Sequence, residues 1–246
     1  MPLLTEPDEV WPAVEFDRLL LADWAARWSH ADWEAPTPCT DWVAREVVAH
    51  LVSMATATKS QGLRAYLRAG ANLDAASHTQ ADQVVNGRTD TQILDLLHEH
   101  AGARHTSPGL RPAGILAELV THLEDLSVAI GEAVHVPEDH LVTTLVYLQR
   151  RTRKNTRFHL TAHGRQPVLD GATRTAGLLL RATDVGWTHD PTAPTDQRDA
   201  PTDVQATVEG SAAALILAIS GRQVGTGTVV GELGGDGCEQ LLAPAP

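Results

Sequence analysis

Apolar residues in the first part of the chain recur every three or four positions. Over residues 8–30, Val10, Val14, Phe16, Leu20, Leu21, Trp24 and Trp28 keep this spacing, which predicts an amphipathic helix with those side chains inward. "SHADWEAPTPCT" follows as a loop, punctuated by Pro36 and Pro38. Thr40 or Asp41 is placed to cap a second helix running to about Leu67, with Val43, Val47, His50, Leu51 and Met54 on its inner face. "RAGANLDAASHTQADQ" has no decisive period. "DTQILDLLHEHAGA" predicts a third helix, "SPGLRP" a break, and residues 113–131 a fourth. Pro137 opens a fifth, "EDHLVTTLVYLQRRTRKN".

Beyond about residue 157 the pattern shortens. "QPVLDG", "GLLLRATD", "GWTHDP", "DVQATVEG" and "TGTVVGEL" are brief β-prone runs between turn residues. "SAAALILAISGR" (211–222) predicts a helix among them, and "DGCEQLLA" a short closing one. "HDPTAPTDQRDAPTD" (189–203) is poor in apolar residues and predicts a surface loop. The expected class is α+β: a helical bundle over residues 1–157 and a small α/β domain over 158–246.

Two helices break their own pattern. His50 stands within the apolar stripe of the second. In the fourth, Leu116, Leu119, Leu123, Leu126 and Ile130 form the core stripe, and Glu118, His122 and Asp125 run along its edge. Glu118 and His122 are i and i+4, so their side chains point the same way from adjacent turns. A buried carboxylate is costly unless something pairs with it. Two readings stand. These are core polar groups satisfied by hydrogen bonds, or Glu118 and His122 share a divalent cation with His50 as third ligand. Two His and one carboxylate suit Zn²⁺ with coordination positions left open. Asp125 is then a further ligand or, as we prefer, an acceptor that orients the His122 ring.

Other candidates are weaker. His98, His100 and His105 crowd a polar helix end and read as solvated surface. Cys39 precedes the His50 helix with no base partner near it in sequence. "VGTGTVVGELGGDG" lacks the dinucleotide-binding fingerprint. "RRTRKN" (150–155) is a basic run that suits a helix C-terminus.

Composition narrows the classes. The 246 residues carry a net charge of −12, which argues against a nucleic-acid or anionic-membrane surface. Two cysteines, Cys39 and Cys238, make neither a disulfide framework nor a zinc ribbon. The acidic start has no signal-peptide character, and no apolar run is long enough to span a membrane, so the expected location is cytoplasmic.

The quoted segments also resemble a known family. "LLLADWAARWSHADWEAPTPCTDWVAREVVAHLV", "AELVTHLEDLSVAIG", "VPEDHLVTTLVYLQRR", "GLLLRATDVGWTHD", "VEGSAAALILAISGR" and "GELGGDGCEQLLA" are similar, in order, to the mycothiol-dependent maleylpyruvate isomerase family of actinobacteria. The most specific part is the combination of Trp42, His50 eight positions beyond it, and the Glu118–His122 pair. The resemblance implies a DinB-like four-helix bundle followed by a small sterol-carrier-like domain. It implies a divalent metal, usually zinc, on His50, Glu118 and His122, with open positions that receive the thiol of mycothiol. Asp125 then fixes His122. Arg222, in "SGRQ", matches an arginine near the active site that holds a substrate carboxylate or the thiol. The implied chemistry is isomerisation or S-transfer on a small electrophile: the thiolate adds to a conjugated double bond, the resulting single bond rotates, and the thiol leaves. The expected partners are a small-molecule electrophile and a low-molecular-weight thiol, with the chain a monomer or homodimer. The same bundle also admits a thiol-independent hydrolase, lyase or cyclase, or a non-catalytic metal-binding protein. Residues 68–112 match loosely.

Overall fold

Local start and stop signals set the helices of the front half. The computed structural model describes residues 3–39, 41–70, 72–106, 111–150, 158–161, 164–167, 174–193, 203–225 and 227–243. Helix α1 (Pro7–Ala25) begins with Pro at its first turn, where a missing N–H costs nothing. It ends earlier than the period suggests. Ser29 and Asp32 reciprocally cap a separate short helix, α2 (His30–Trp33), and that local exchange stops the first helix. Phe16, expected inside, is 50% exposed.

The helix expected from residue 41 to 67 is two. Val43 starts α3 (Ala44–Thr56), with the Glu46 carboxylate accepting its N–H at 2.9 Å. Asp41 does not cap but turns the chain with φ +67°, and Thr40 lies outside the described residues. Ala57 is extended, and Thr58 caps α4 (Lys59–Arg68) in a reciprocal exchange with Gln61. The stretch without a decisive period folds as α5 (Leu73–Val85). Helices α6 (Asp90–Glu99), α7 (Pro112–Ile130) and α8 (Glu138–Arg150) match the pattern. Pro112 opens α7, and Gly131, left-handed at φ +73°, closes it by bonding back to Ser127.

Four of these helices close a ring: α1 packs on α6 and α7, and α3 packs on the same two. The core of the ring holds Val14, Leu21, Val47, Leu51, Ile93, Leu97, Leu116 and Leu123. Helix α5 flanks α3, α4 lies on α5, and α8 lies on α7.

The back half is a hairpin and a small mixed sheet. Strands β1 (Phe158–Thr161) and β2 (Gly164–Pro167) pair antiparallel. The sheet runs β4 (Trp187–His189), β3 (Leu178–Ala182), β5 (Ala206–Gly210), β6 (Leu233–Gly234), with β3 and β5 parallel and the outer pairs antiparallel. Leu178, Leu180, Ala182 and Val208 face the core. Helix α9 (Ala212–Ile219) packs against α7 and α8, and α10 (Cys238–Leu242) packs on α9. The apolar core is therefore continuous from the helices into the sheet. The class is α+β, as the pattern implied. We keep the division into residues 1–157 and 158–246 as a proposal, since residues 151–157 lie outside the described residues.

"TGTVVGEL" is mostly not strand. Left-handed Gly227 and Gly231 turn it, and only Leu233–Gly234 pairs with β5. Gly235, at φ +106°, passes so close to β5 that an added Cβ would lie 2.2 Å from the Thr207 carbonyl oxygen. Gly235→Ala is expected to cost roughly 2–4 kcal/mol in a urea melt, because both φ and the contact oppose it. Among the described residues no helix is long and apolar enough to cross a membrane.

Candidate metal centre

Helices α3 and α7 face each other, and His50 on one meets Glu118 and His122 on the other. One potential donor atom from each of the three lies within 4.8 Å of the other two. The His50 and His122 rings meet edge to face at 5.2 Å between centroids. His122 is buried, while His50 and Glu118 are half-buried. This donor set suits a divalent cation such as Zn²⁺, which takes imidazole nitrogen and carboxylate oxygen together.

The surroundings orient the donors. His122 Nδ1 lies 3.0 Å from Asp125 Oδ2. Burial alone would raise the Asp125 carboxyl, but the Arg222 guanidinium and the His122 hydrogen bond outweigh it and hold Asp125 below its usual range. An ionised carboxylate only accepts, so His122 Nδ1 donates to Asp125 and Nε2 is the nitrogen left for a cation. Arg222 grips the same carboxylate from the back half: Nε donates to Oδ1 at 3.1 Å and Nη2 to Oδ2 at 2.9 Å. Burial would depress the guanidinium, yet Asp125, Cys39 and Glu118 together hold it above its ordinary value.

Local sequence explains why Arg222 arrives there. Helix α9 ends at Ile219, with Ser220 as its C-cap. Gly221, left-handed at φ +88°, donates its N–H to Ala218, and Arg222 donates its own to Leu217. This Schellman closure turns the chain back over the helix end. Residues 35–44 are likewise tied by Ala44 N–H to Ala35, Thr37 N–H to Trp42, and Trp42 N–H to Cys39. That loop sets Trp42 edge-on to His50 at 5.4 Å, with His78 4.2 Å from the Trp42 ring.

The loop also delivers Cys39, which sequence spacing did not connect to the others. Cys39, His122 and Asp125 form a second group whose donor atoms lie within 4.8 Å of one another. The two groups share His122 and differ in quality. Both Asp125 oxygens already accept hydrogen bonds from Arg222 and His122, whereas Glu118 stands one turn from His122 on α7 and His50 meets them from α3. The first group is therefore the better cation holder. Of the three histidines read as solvated surface, His98 is exposed, 3.6 Å from Asp23, whereas His100 and His105 are half-buried because the chain beyond α6 packs back on the bundle.

Sequence reading also passed over a second buried polar group. Asp17 Oδ1 lies 2.9 Å from His140 Nδ1, joining α1 to α8. Burial raises the Asp17 carboxyl despite His140. Glu124, next to Asp125 but on another face of α7, is buried, and burial with Asp125, Asp184 and Asp17 around it pushes its carboxyl up to about 8. No local signal marks these residues, because acids at such positions are ordinarily solvated.

Comparison with known proteins fits this frame. The model for the mycothiol maleylpyruvate isomerase N-terminal domain matches residues 18–154. Two solved structures are similar over all of this chain and 99% of theirs, each with a TM-score of 0.57. One is the crystal structure of a mycothiol-dependent maleylpyruvate isomerase, 15% identical. The other is a histidine-to-alanine mutant of a mycothiol-dependent maleylpyruvate isomerase, 14% identical. At that identity the likeness speaks for the shared fold. No curated protein matches the chain at a significant level. The family match covers more than half of the chain and includes all of α3 and α7, so the chain belongs to the mycothiol maleylpyruvate isomerase N-terminal domain family, a family of enzymes.

Proposed function

We propose that the chain is a metal- and mycothiol-dependent enzyme of isomerase or S-transferase type, acting on a small electrophile. The observation that carries this reading is the convergence of His50, Glu118 and His122 within 4.8 Å, with Asp125 on the remaining nitrogen of His122. Family membership supports the thiol. A divalent cation held by these three residues supplies positive charge that favours the thiolate form of a bound thiol.

The chain's own residues meet the remaining demands. Asp125 fixes the His122 tautomer and ring plane. Arg222 acts through Asp125 as a positioning residue: among the described residues, three of its N–H groups go to Asp125 and to the Ser220 carbonyl. Two of its five remain for a substrate carboxylate. Trp42 shields one side of His50. Reversible addition of a thiol across a conjugated double bond needs a fixed nucleophile site and room for rotation. S-transfer needs the same site with a different electrophile. We keep the cytoplasm as location, and a monomer or homodimer with no nucleic-acid partner as its state.

Elemental analysis tests the centre. About one equivalent of zinc is expected in the wild type, and under about a tenth of that in folded His50→Ala and His122→Ala. Cys39→Ser is expected to retain the metal. Metal unchanged in both histidine variants would remove the centre, and the thiol reading with it. If the centre holds, isomerase turnover that needs no added thiol would instead favour the thiol-independent chemistry.

A further inference from the structure

A cavity of about 490 Å³ lies among α3, α4, α5 and α6. It shares no residue with the His50–Glu118–His122 group. Among the described residues its wall carries Arg64, Arg68, Arg88 and His100, and no Asp or Glu. That is unusual in a chain with net charge −12 and only 19 Lys and Arg. The remaining polar lining consists of hydroxyl and amide groups, such as Ser53 on α3 and Gln80 on α5.

Three physical features point the same way. Arg64 and Arg68 are i and i+4 on α4, so two like charges sit on adjacent turns, an arrangement that weakens a helix unless an anion lies between them. Among the described residues, no carboxylate forms an ion pair with Arg64, Arg68 or Arg88. Arg88 is held in place, its Nη1 donating to the Gln83 and Val84 carbonyls at 2.9 and 3.0 Å, so one cation of the wall is preset. A neighbouring cleft that shares Arg88 and Leu96 contains Asp95 and Glu99. Among the described residues, the side without carboxylates is therefore the α4 side, where Arg64 and Arg68 stand.

We propose that this cavity is a binding site for a small oxyanion, a polycarboxylate or a phosphorylated metabolite, gripped by Arg64 and Arg68 against Arg88. Guanidinium groups match both chemistries by paired N–H donation. The cavity suits a molecule of metabolite size rather than a chain segment. The site is separate from the candidate metal centre and does not depend on the function proposed for it. It does touch that centre's scaffold, because Ser53 Oγ in its wall donates to the His50 carbonyl at 2.7 Å.

Calorimetric titration of the full chain with inorganic phosphate and, separately, with succinate tests the proposal. One saturable equivalent of at least one probe is expected, weakened about tenfold or more in Arg64→Gln/Arg68→Gln and unchanged in His50→Ala. Arg68→Gln alone provides a milder variant if the double one melts early. Binding of phosphate alone or succinate alone supports the site and names its class. The proposal is overturned by no saturable binding of either probe, by binding indifferent to the arginines, or by binding lost in His50→Ala.

Discussion

Asp125→Ala is expected to lower the unfolding free energy by roughly 3–5 kcal/mol and to weaken zinc binding by about 10–100-fold. Asp125 has no exposed surface, and its two oxygens take three hydrogen bonds: two from Arg222 and one from His122. Removing the carboxylate leaves a largely buried guanidinium with nothing opposite it, which is the expensive half of breaking a buried pair. It also frees the His122 ring to rotate and to change tautomer, so the proposed metal centre would lose a preset ligand. The two losses can be read apart. Urea denaturation of metal-free protein reports the ion pair, and competition with a chelator reports the ligand. Arg222→Lys is expected to lose most of the stability term as well, since an ammonium cannot reproduce the paired Nε and Nη2 contacts. A metal-free Asp125→Ala protein as stable as wild type would show that the pair contributes nothing.

Glu124→Gln is expected to stabilise the metal-free protein at pH 8 by on the order of 3 kcal/mol or more and to change little at pH 5. The sign follows from the direction of the shift. Burial, with Asp125, Asp184 and Asp17 nearby, raises the Glu124 carboxyl from 4.5 to about 8 in the folded chain. Between those values the folded state holds a proton that the unfolded state has released. The stabilisation is fully present below about 4.5 and is lost as pH rises through about 8. Fully titrated, a shift of that size corresponds to about 5 kcal/mol. Glutamine keeps the neutral shape at every pH, so the wild-type minus variant difference should grow with pH and level off above 8. Melts at pH 5, 6.5 and 8 with a chelator present check it. A difference that does not vary with pH would mean that Glu124 is ionised in the fold.

Much of the candidate centre was legible in the chain. Helical periodicity alone put Glu118 and His122 on one edge of an apolar helix, and it made His50 an anomaly on another. An α-helix fixes the relative direction of residues three and four apart, so such pairs can be read without a structure. Arg222 entered through family resemblance, and its grip on Asp125 depends on the Schellman turn at Gly221, which only a folded α9 creates.

Other features resisted for physical reasons. The split of the long helix at Ala57 had a local signature, Thr58 with Gln61 three residues on, which the strong apolar period of α3 masked. Cys39 reaches His122 because a hydrogen-bonded loop folds back over about ten residues, and no period describes a loop. Glu124 and Asp17 look like ordinary surface acids in a helix. Whether they are solvated depends on α8 and on the turn bearing Asp184, which come from elsewhere in the chain.

The sequence by itself determined helices α6, α7 and α8, the edge that carries Glu118 and His122, and the change of texture after residue 157, because each follows from short-range geometry. Tertiary structure alone decided which helix meets which, that Asp125 is clasped by an arginine 97 positions away, and that three arginines and, among the described residues, no carboxylate line one cavity. Those features depend on distances between elements, which are set by how apolar faces pack rather than by any spacing along the chain.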